Sequence, residues 1–277
     1  MHASEIMSAP VYVIEPSENV ARARNLMFRH RISRLLVVTN DTLTGIITKK
    51  DIAYRLRQSE PSWRRRPIDQ IPVSVLMVTD PITIAPEATI RDVARLMVNE
   101  GISSLPVVED CTLIGIVTKS DLMKSALVGR VHGAVGDLME DVTTASRYHS
   151  LDHVINLISE RNDKVVVINN DGSLAGIITE SNLAFFEYPA GDVLDKDVTM
   201  LRREEPAGTK AYRHVRDVTV IAEDVMSSPV ETIGADNLVG EAVARMREKG
   251  INSLVVAEKN ELRGILKRDD IIQEVAR

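Results

Sequence analysis

The chain has 277 residues, of which 44% are hydrophobic and 27% charged, with a net charge of −6 and six histidines. That length supports one large domain or two ordinary ones with real cores, and the charge excludes a surface that grips nucleic acid throughout. A single cysteine, Cys111, excludes an internal disulfide and fits a reducing compartment, and aromatic residues at 3% leave little for base-stacking platforms. No apolar run approaches the roughly 20 residues of a membrane span. The start, "MHASEIMSAP", has no apolar signal core. A cytoplasmic protein without membrane contact is therefore expected.

In chain order the same set of elements recurs four times. A Met (Met7, Met77, Met139, Met226) precedes a Gly (Gly45, Gly115, Gly176, Gly264) by 38, 38, 37 and 38 residues, whereas successive glycines lie 70, 61 and 88 apart. Fixed spacing within units and variable spacing between them means compact modules on unequal linkers, not an open solenoid. Each unit starts with a short extended segment next to a Pro, as in "APVYVIEP", which reads as an edge strand. An amphipathic helix follows. In the second unit Ile90, Val93, Leu96 and Met97 share one face. Gly101 and Gly250 stand where a left-handed residue closes such a helix. Next come a buried strand ("SRLLVV", "SSLPVV", "DKVVVI", "NSLVVA"), a polar turn, a second buried strand and a second helix. The predicted class is α/β, with β-α-β-β-α units at 1–57, 73–127, 134–186 and 223–277 and a linker or hairpin arm at 187–222. A lone unit of this size is marginal, so units are expected to pair through their sheets. Residues 1–128, two units, are expected to fold alone.

The junction of the last strand and second helix reads "GIITKKD", "GIVTKSD", "GIITESN" and "GILKRDD". Thr48 with Asp51 and Thr118 with Asp121 fit a helix capping box, the hydroxyl taking a spare N–H and the acid sitting at the third helical position. The third unit carries Thr179 with Asn182, and the fourth carries Lys267 with Asp270, where a cation opposes the helix dipole.

Met, helix-terminal Gly, "S-x-L-x-V-V" strand and "G-x-x-T-x-x-D" junction, recurring in one order over about four-fifths of the chain, resemble the CBS domain. The four-unit arrangement is similar to the gamma regulatory subunit of AMP-activated protein kinase and to stand-alone archaeal relatives. That resemblance implies two tandem-pair modules forming a flat disk, no catalysis, and adenine nucleotides (AMP, ADP or ATP) held in clefts between units and signalling to a regulated partner protein. Rival readings are a module for S-adenosylmethionine or its thioethers and a scaffold with empty clefts. The partner's identity stays open, as does homodimer formation. No cofactor is expected beyond the nucleotide ligand.

The resemblance further implies that the Thr and Asp at 48/51 and 118/121 hold ribose, with Thr179, Asn182 and Asp270 as altered counterparts. It places phosphate-binding and polar groups at the start of the first buried strand, where Ser33, Arg34, Ser103 and Lys164 stand. Arg34 matches a phosphate ligand best, with its rigid fork of donors. Lys267 could reach a phosphate. Adenine is expected between apolar groups, with Ile14, Ala85, Leu35 and Leu105 as candidates.

Three other features stand out less. His149 and His153 could share a helix face, but no further ligand joins them, so a surface role is expected. "SWRRRP" at Ser62–Pro67 reads as a solvated linker, with a partner or nucleic-acid contact as the sharper reading. The stretch from Phe186 to Ala222 is long for a connection; its six Lys and Arg against seven Asp and Glu, and the extended runs flanking a Pro-Ala-Gly turn, suggest a hairpin for protein contact or structure.

Overall fold

The computed structural model describes residues 1–56, 68–158, 163–185, 198–205, 208–215, 220–258 and 261–277. The Arg-rich linker at Ser62–Pro67 lies outside these residues. In unit one the edge strand Val13–Ile14 runs parallel to Arg34–Thr39, which pairs antiparallel with Thr42–Thr48. Unit three repeats the plan with Thr144–Ser146, Lys164–Ile168 and Leu174–Thr179, and unit four with Thr232–Ile233, Ser253–Glu258 and Glu261–Lys267. In unit two the strands Ser104–Glu109 and Thr112–Thr118 pair, and the Pro-flanked segment is reduced to a bridge from Ile84 to Val107. A register shift recurs at the same place in every antiparallel pair, at Val37/Val38, Val107/Val108, Val167/Ile168 and Val256/Ala257, one step past the repeated Gly.

The first helices are Val20–Arg29, Ile90–Asn99, Leu151–Leu157 and Val239–Lys249. Ile90, Val93 and Met97 are buried and Leu96 packs beside them, as the periodicity predicts. Gly101 and Gly250 have φ of 64° and 65°, the left-handed cap that favours glycine; in unit one Arg31 takes the same conformation at 53°.

The modules are closed by an exchange between units. Met7 packs on Gly115 and Met77 on Gly45, while Met226 packs on Gly176 and Met139 on Gly264. Each Met therefore covers the glycine of the partner unit. The short helix Ala3–Ile6 adds Ala3 to the core of unit two, and Ile71 and Val73 join the core of unit one, with Val78–Thr79 as a fourth strand of its sheet. The reason is that a Cβ-free strand residue admits a neighbouring chain, and the flanking backbone then bonds across: Ser8 with Ile116, Ser227 with Ile177, Glu140 with Ile265.

Units one and two thus form one module and units three and four another. The modules then close a ring. The second helix of unit one, Lys49–Leu56, packs on that of unit three, Glu180–Phe185, and the second helix of unit four, Arg268–Ala276, packs on Ile90–Asn99 and Lys119–Lys124 of unit two. A single apolar cluster joins units two and four, including Met97, Leu122, Met246, Leu266 and Ile272. The first module therefore does not own its whole core, contrary to the self-contained core on which the expectation of independent folding rested. Between units three and four, Val198–Glu205 and Gly208–Val215 pair antiparallel in unbroken register, the hairpin expected there. Among the described residues no helix is long and apolar enough to cross a membrane.

Candidate functional site

The register of each sheet builds the site. Arg34 lies opposite Thr48, Ser104 opposite Thr118, Lys164 opposite Thr179 and Ser253 opposite Lys267. The start of one strand and the start of the second helix are therefore side by side in every unit, and the ring turns all four junctions toward its centre.

The junctions are capping boxes. Thr48 donates to Asp51 Oδ2 from its backbone N–H (2.7 Å) and its hydroxyl (2.7 Å), and Asp51 N–H returns a bond to Thr48 Oγ1. Thr118 and Asp121 repeat this at 3.0 and 2.6 Å. Thr179 donates to Asn182 Oδ1 at 3.0 and 2.8 Å, and the Asn182 amide donates to Ser227 Oγ. In unit four the Lys267 N–H donates to Asp270 Oδ2 at 2.7 Å, with no hydroxyl in the box. Each box engages one carboxylate or amide oxygen, so the second carboxylate oxygen of Asp51 has no box partner.

A cavity of about 610 Å³ occupies the centre, a volume typical of small-ligand sites. Ser33, Arg34, Thr48, Asp51, Ser103, Lys164, Lys267 and Asp270 all line it, so it gathers residues of every unit. A second cavity, of about 700 Å³, holds Thr179 and Asn182 against Ser227, Pro229 and Asn252 of unit four. The two share Ser33, Lys49, Ser120, Lys164 and Arg268 as common wall. Thr118 and Asp121 line neither, and Asp121 is buried with Lys124 3.7 Å away.

The apolar candidates for adenine do not lie in these cavities. Ile14, Leu35 and Leu105 are core residues, since the inward face of a buried strand turns to the helices and away from the cleft. Ala85 is exposed and lines neither cavity. Around Asp51 the apolar wall is instead Ile46 with Val78 and Ile82 from the exchanged segment and Ile102.

The charges are arranged unevenly. Lys119 is bonded to Asp269 at 2.8 Å, Lys164 to its neighbour Asp163, Lys50 to Glu180 at 3.4 Å, and Lys267 to Glu140 at 2.9 Å. The expected phosphate roles of Lys164 and Lys267 thus meet cations already engaged by carboxylates. Arg34 differs. Its Nη1 donates to the Ser103 carbonyl at 2.9 Å, and among the described residues no carboxylate lies within ion-pair distance and its buried Nε has no hydrogen-bond partner. Burial, then the neighbouring Arg268, push its pKa down to about 10, against the pull of Asp121. Burial also lowers Arg268, although Asp269, Asp163 and Asp121 oppose it, and its Nη1 donates to Ser120 Oγ at 3.0 Å. Burial and then Arg34 lower Lys49. Asp51 is raised by burial, with the Thr48 bonds opposing. Asp270 is raised to about 7 by burial and the Glu140 carboxylate, against the Lys267 N–H.

Lys49, Lys119 and Arg268 escaped the sequence reading. They occupy one repeated position, directly after the Thr or Lys of each junction, where unit three has Glu180. Comparing that column across the four copies would have found them. His149 precedes the helix that carries His153, and their rings meet edge-on at 4.4 Å; among the described residues no cluster of metal-ligating side chains forms.

The CBS domain model matches residues 3–58, 69–127, 135–187 and 222–277. A 33.4 kDa protein from Thermofilum pendens is 26% identical over 97% of this chain and 89% of its own length. Inosine-5'-monophosphate dehydrogenase from Korarchaeum cryptofilum is 34% identical over 43% of this chain, but the match spans 23% of that enzyme. In structure, a Methanocaldococcus jannaschii protein proposed as an archaeal homologue of the gamma subunit of AMP-activated protein kinase covers 99% of both chains with a TM-score of 0.79 at 20% identity. At that identity the likeness is one of fold. With four matched copies spanning most of its length, the chain belongs to the CBS domain family, whose paired units are typically ligand-binding regulatory modules.

Proposed function

We propose that the chain is a regulatory sensor of adenine nucleotides. The base and ribose enter the Asp51 cleft, and the phosphates extend into the central cavity. The observation that carries this reading is Arg34 together with Arg268: two part-buried arginines from different modules, each with a buried Nε lacking a hydrogen bond, lining one polar cavity. Two such cations held together cost free energy unless an anion offsets their repulsion, and a planar fork of donors suits a phosphate. The free oxygen of Asp51 is available to a ribose hydroxyl. A nucleotide spanning both modules would favour one packing of the ring over another, and a partner protein could read that difference. The reading involves no reaction at the chain itself.

Calorimetry of the full chain with ATP, ADP, AMP, adenosine and S-adenosylmethionine tests it. Binding is expected to strengthen from adenosine to the nucleotides. S-adenosylmethionine binding at least as tightly as ATP would transfer the reading to an adenosyl sulfonium ligand, and no binding by any of the five would leave a scaffold.

A further inference from the structure

The four clefts are not equivalent, and the one at Asp270 departs at two positions that touch each other. Where the other junctions carry Thr48, Thr118 and Thr179, unit four carries Lys267. One residue after the Met that covers the facing glycine stand Ser8, Val78 and Ser227; in unit three this residue is Glu140. Glu140 is fixed by backbone bonds on both sides of Ile265, at 2.9 and 3.0 Å, so its side chain leaves the strand at the junction. There its carboxylate receives Lys267 Nζ at 2.9 Å, Asp163 lies 3.8 Å from the same ammonium, and the Glu140 charge helps raise the Asp270 carboxyl.

We infer that Glu140 and Lys267 form an internal latch that fills the Asp270 cleft and excludes from it the ligand the sister clefts accept. In the Asp51 cleft the space beside the box is bounded by Val78 and by the Thr48 methyl and hydroxyl, and one carboxylate oxygen is left open. In the Asp270 cleft the corresponding space holds a carboxylate–ammonium pair. A vicinal diol would have to displace Glu140 from Lys267. Lys267 is only 12% exposed, so its ammonium would exchange Glu140 at 2.9 Å for the more distant Asp163 at 3.8 Å with little water to make up the loss. The latch also ties unit three to unit four, since Glu140 belongs to the exchanged segment.

The inference borrows from the nucleotide reading only the choice of probe. Calorimetry of the full chain with adenosine and with ATP compares the wild type with the double variant Glu140→Ser, Lys267→Thr, which installs the residues found at the sister junctions. One additional binding site per chain is expected in the double variant. An unchanged stoichiometry in a folded double variant overturns the latch, whether or not the wild type binds. A wild type that binds neither probe overturns the sensor reading, and an added site in the variant would still uphold the latch. If the double variant does not fold, Lys267→Thr alone carries the test. It removes the ammonium that neutralises Glu140, and the added site is then expected roughly tenfold weaker, the repulsion between Glu140 and Asp270 remaining. Unchanged stoichiometry in that variant likewise overturns the inference.

Discussion

The Asp51 cleft and the Asp270 cleft open on one cavity and share one backbone plan, but their polar groups are committed differently. At Asp51 the box closes on itself with a neutral Thr, the neighbouring Val78 is apolar, and the nearby cation Arg34 has no carboxylate partner among the described residues. At Asp270 the box lacks its hydroxyl, and the cation, Lys267, is held by Glu140 and Asp163. The difference shows that a repeated fold sets where a site can be, while which side chains find partners inside the protein sets whether anything is left for a ligand. A buried group satisfied internally gains little from a ligand, and an unsatisfied one gains the full interaction.

The largest expected effect tests the open cleft. Arg34→Ala should weaken ATP by roughly 10- to 150-fold, about 1.5–3 kcal/mol, and leave adenosine nearly unchanged. Equal losses for both ligands in calorimetry would mean that Arg34 only positions the strand. Next comes the exchanged segment beside the closed cleft. A Cβ on Gly264 would stand 2.6 Å from the Glu140 carbonyl oxygen, which is backbone, whereas on Gly115 it would meet the flexible Met7 side chain. Gly264→Ala should cost about 1–3 kcal/mol in denaturant titration and Gly115→Ala clearly less; the reverse order would contradict the exchange described here.

Asp51→Ala should then weaken adenosine by roughly tenfold, and Asp121→Ala less, because Asp121 lines neither cavity. Equal effects would place a ligand at both junctions. The last test concerns protons. Asp270 is raised from 3.8 to about 7, so the folded state holds a proton that the unfolded chain releases. Its contribution to stability is complete below pH 3.8 and lost as pH rises through about 7. Asp270→Asn keeps an oxygen for the Lys267 N–H and removes the titration. Its melting temperature relative to wild type should climb across that window, and a constant difference would refute the raised carboxyl.

Much of the architecture was legible in the residues. The Met-to-Gly interval counted the units, Ile90, Val93 and Met97 marked the buried helix face, and Thr48 with Asp51 announced a capping box, because each of these depends on neighbours close in sequence. The pairing of Val198–Glu205 with Gly208–Val215 was readable for the same reason, since alternation and turn residues are local. The Met–Gly count revealed the periodicity and left the contact open. A 38-residue interval looks the same whether Met7 covers Gly45 or Gly115, and only packing distinguishes them.

The sequence alone determined the four copies, their element order and the junctions that carry polar groups. Local propensity and hydrophobic period act over a few residues, and the chain spells them four times. The tertiary structure decided what surrounds those junctions. It placed Arg34 and Arg268 of the other module on one cavity, drew Ile14, Leu35 and Leu105 into the core, merged the apolar faces of units two and four, and set Glu140 on Lys267 across 127 residues. Charge pairing and desolvation depend on distances through space, and those follow only once the ring has closed.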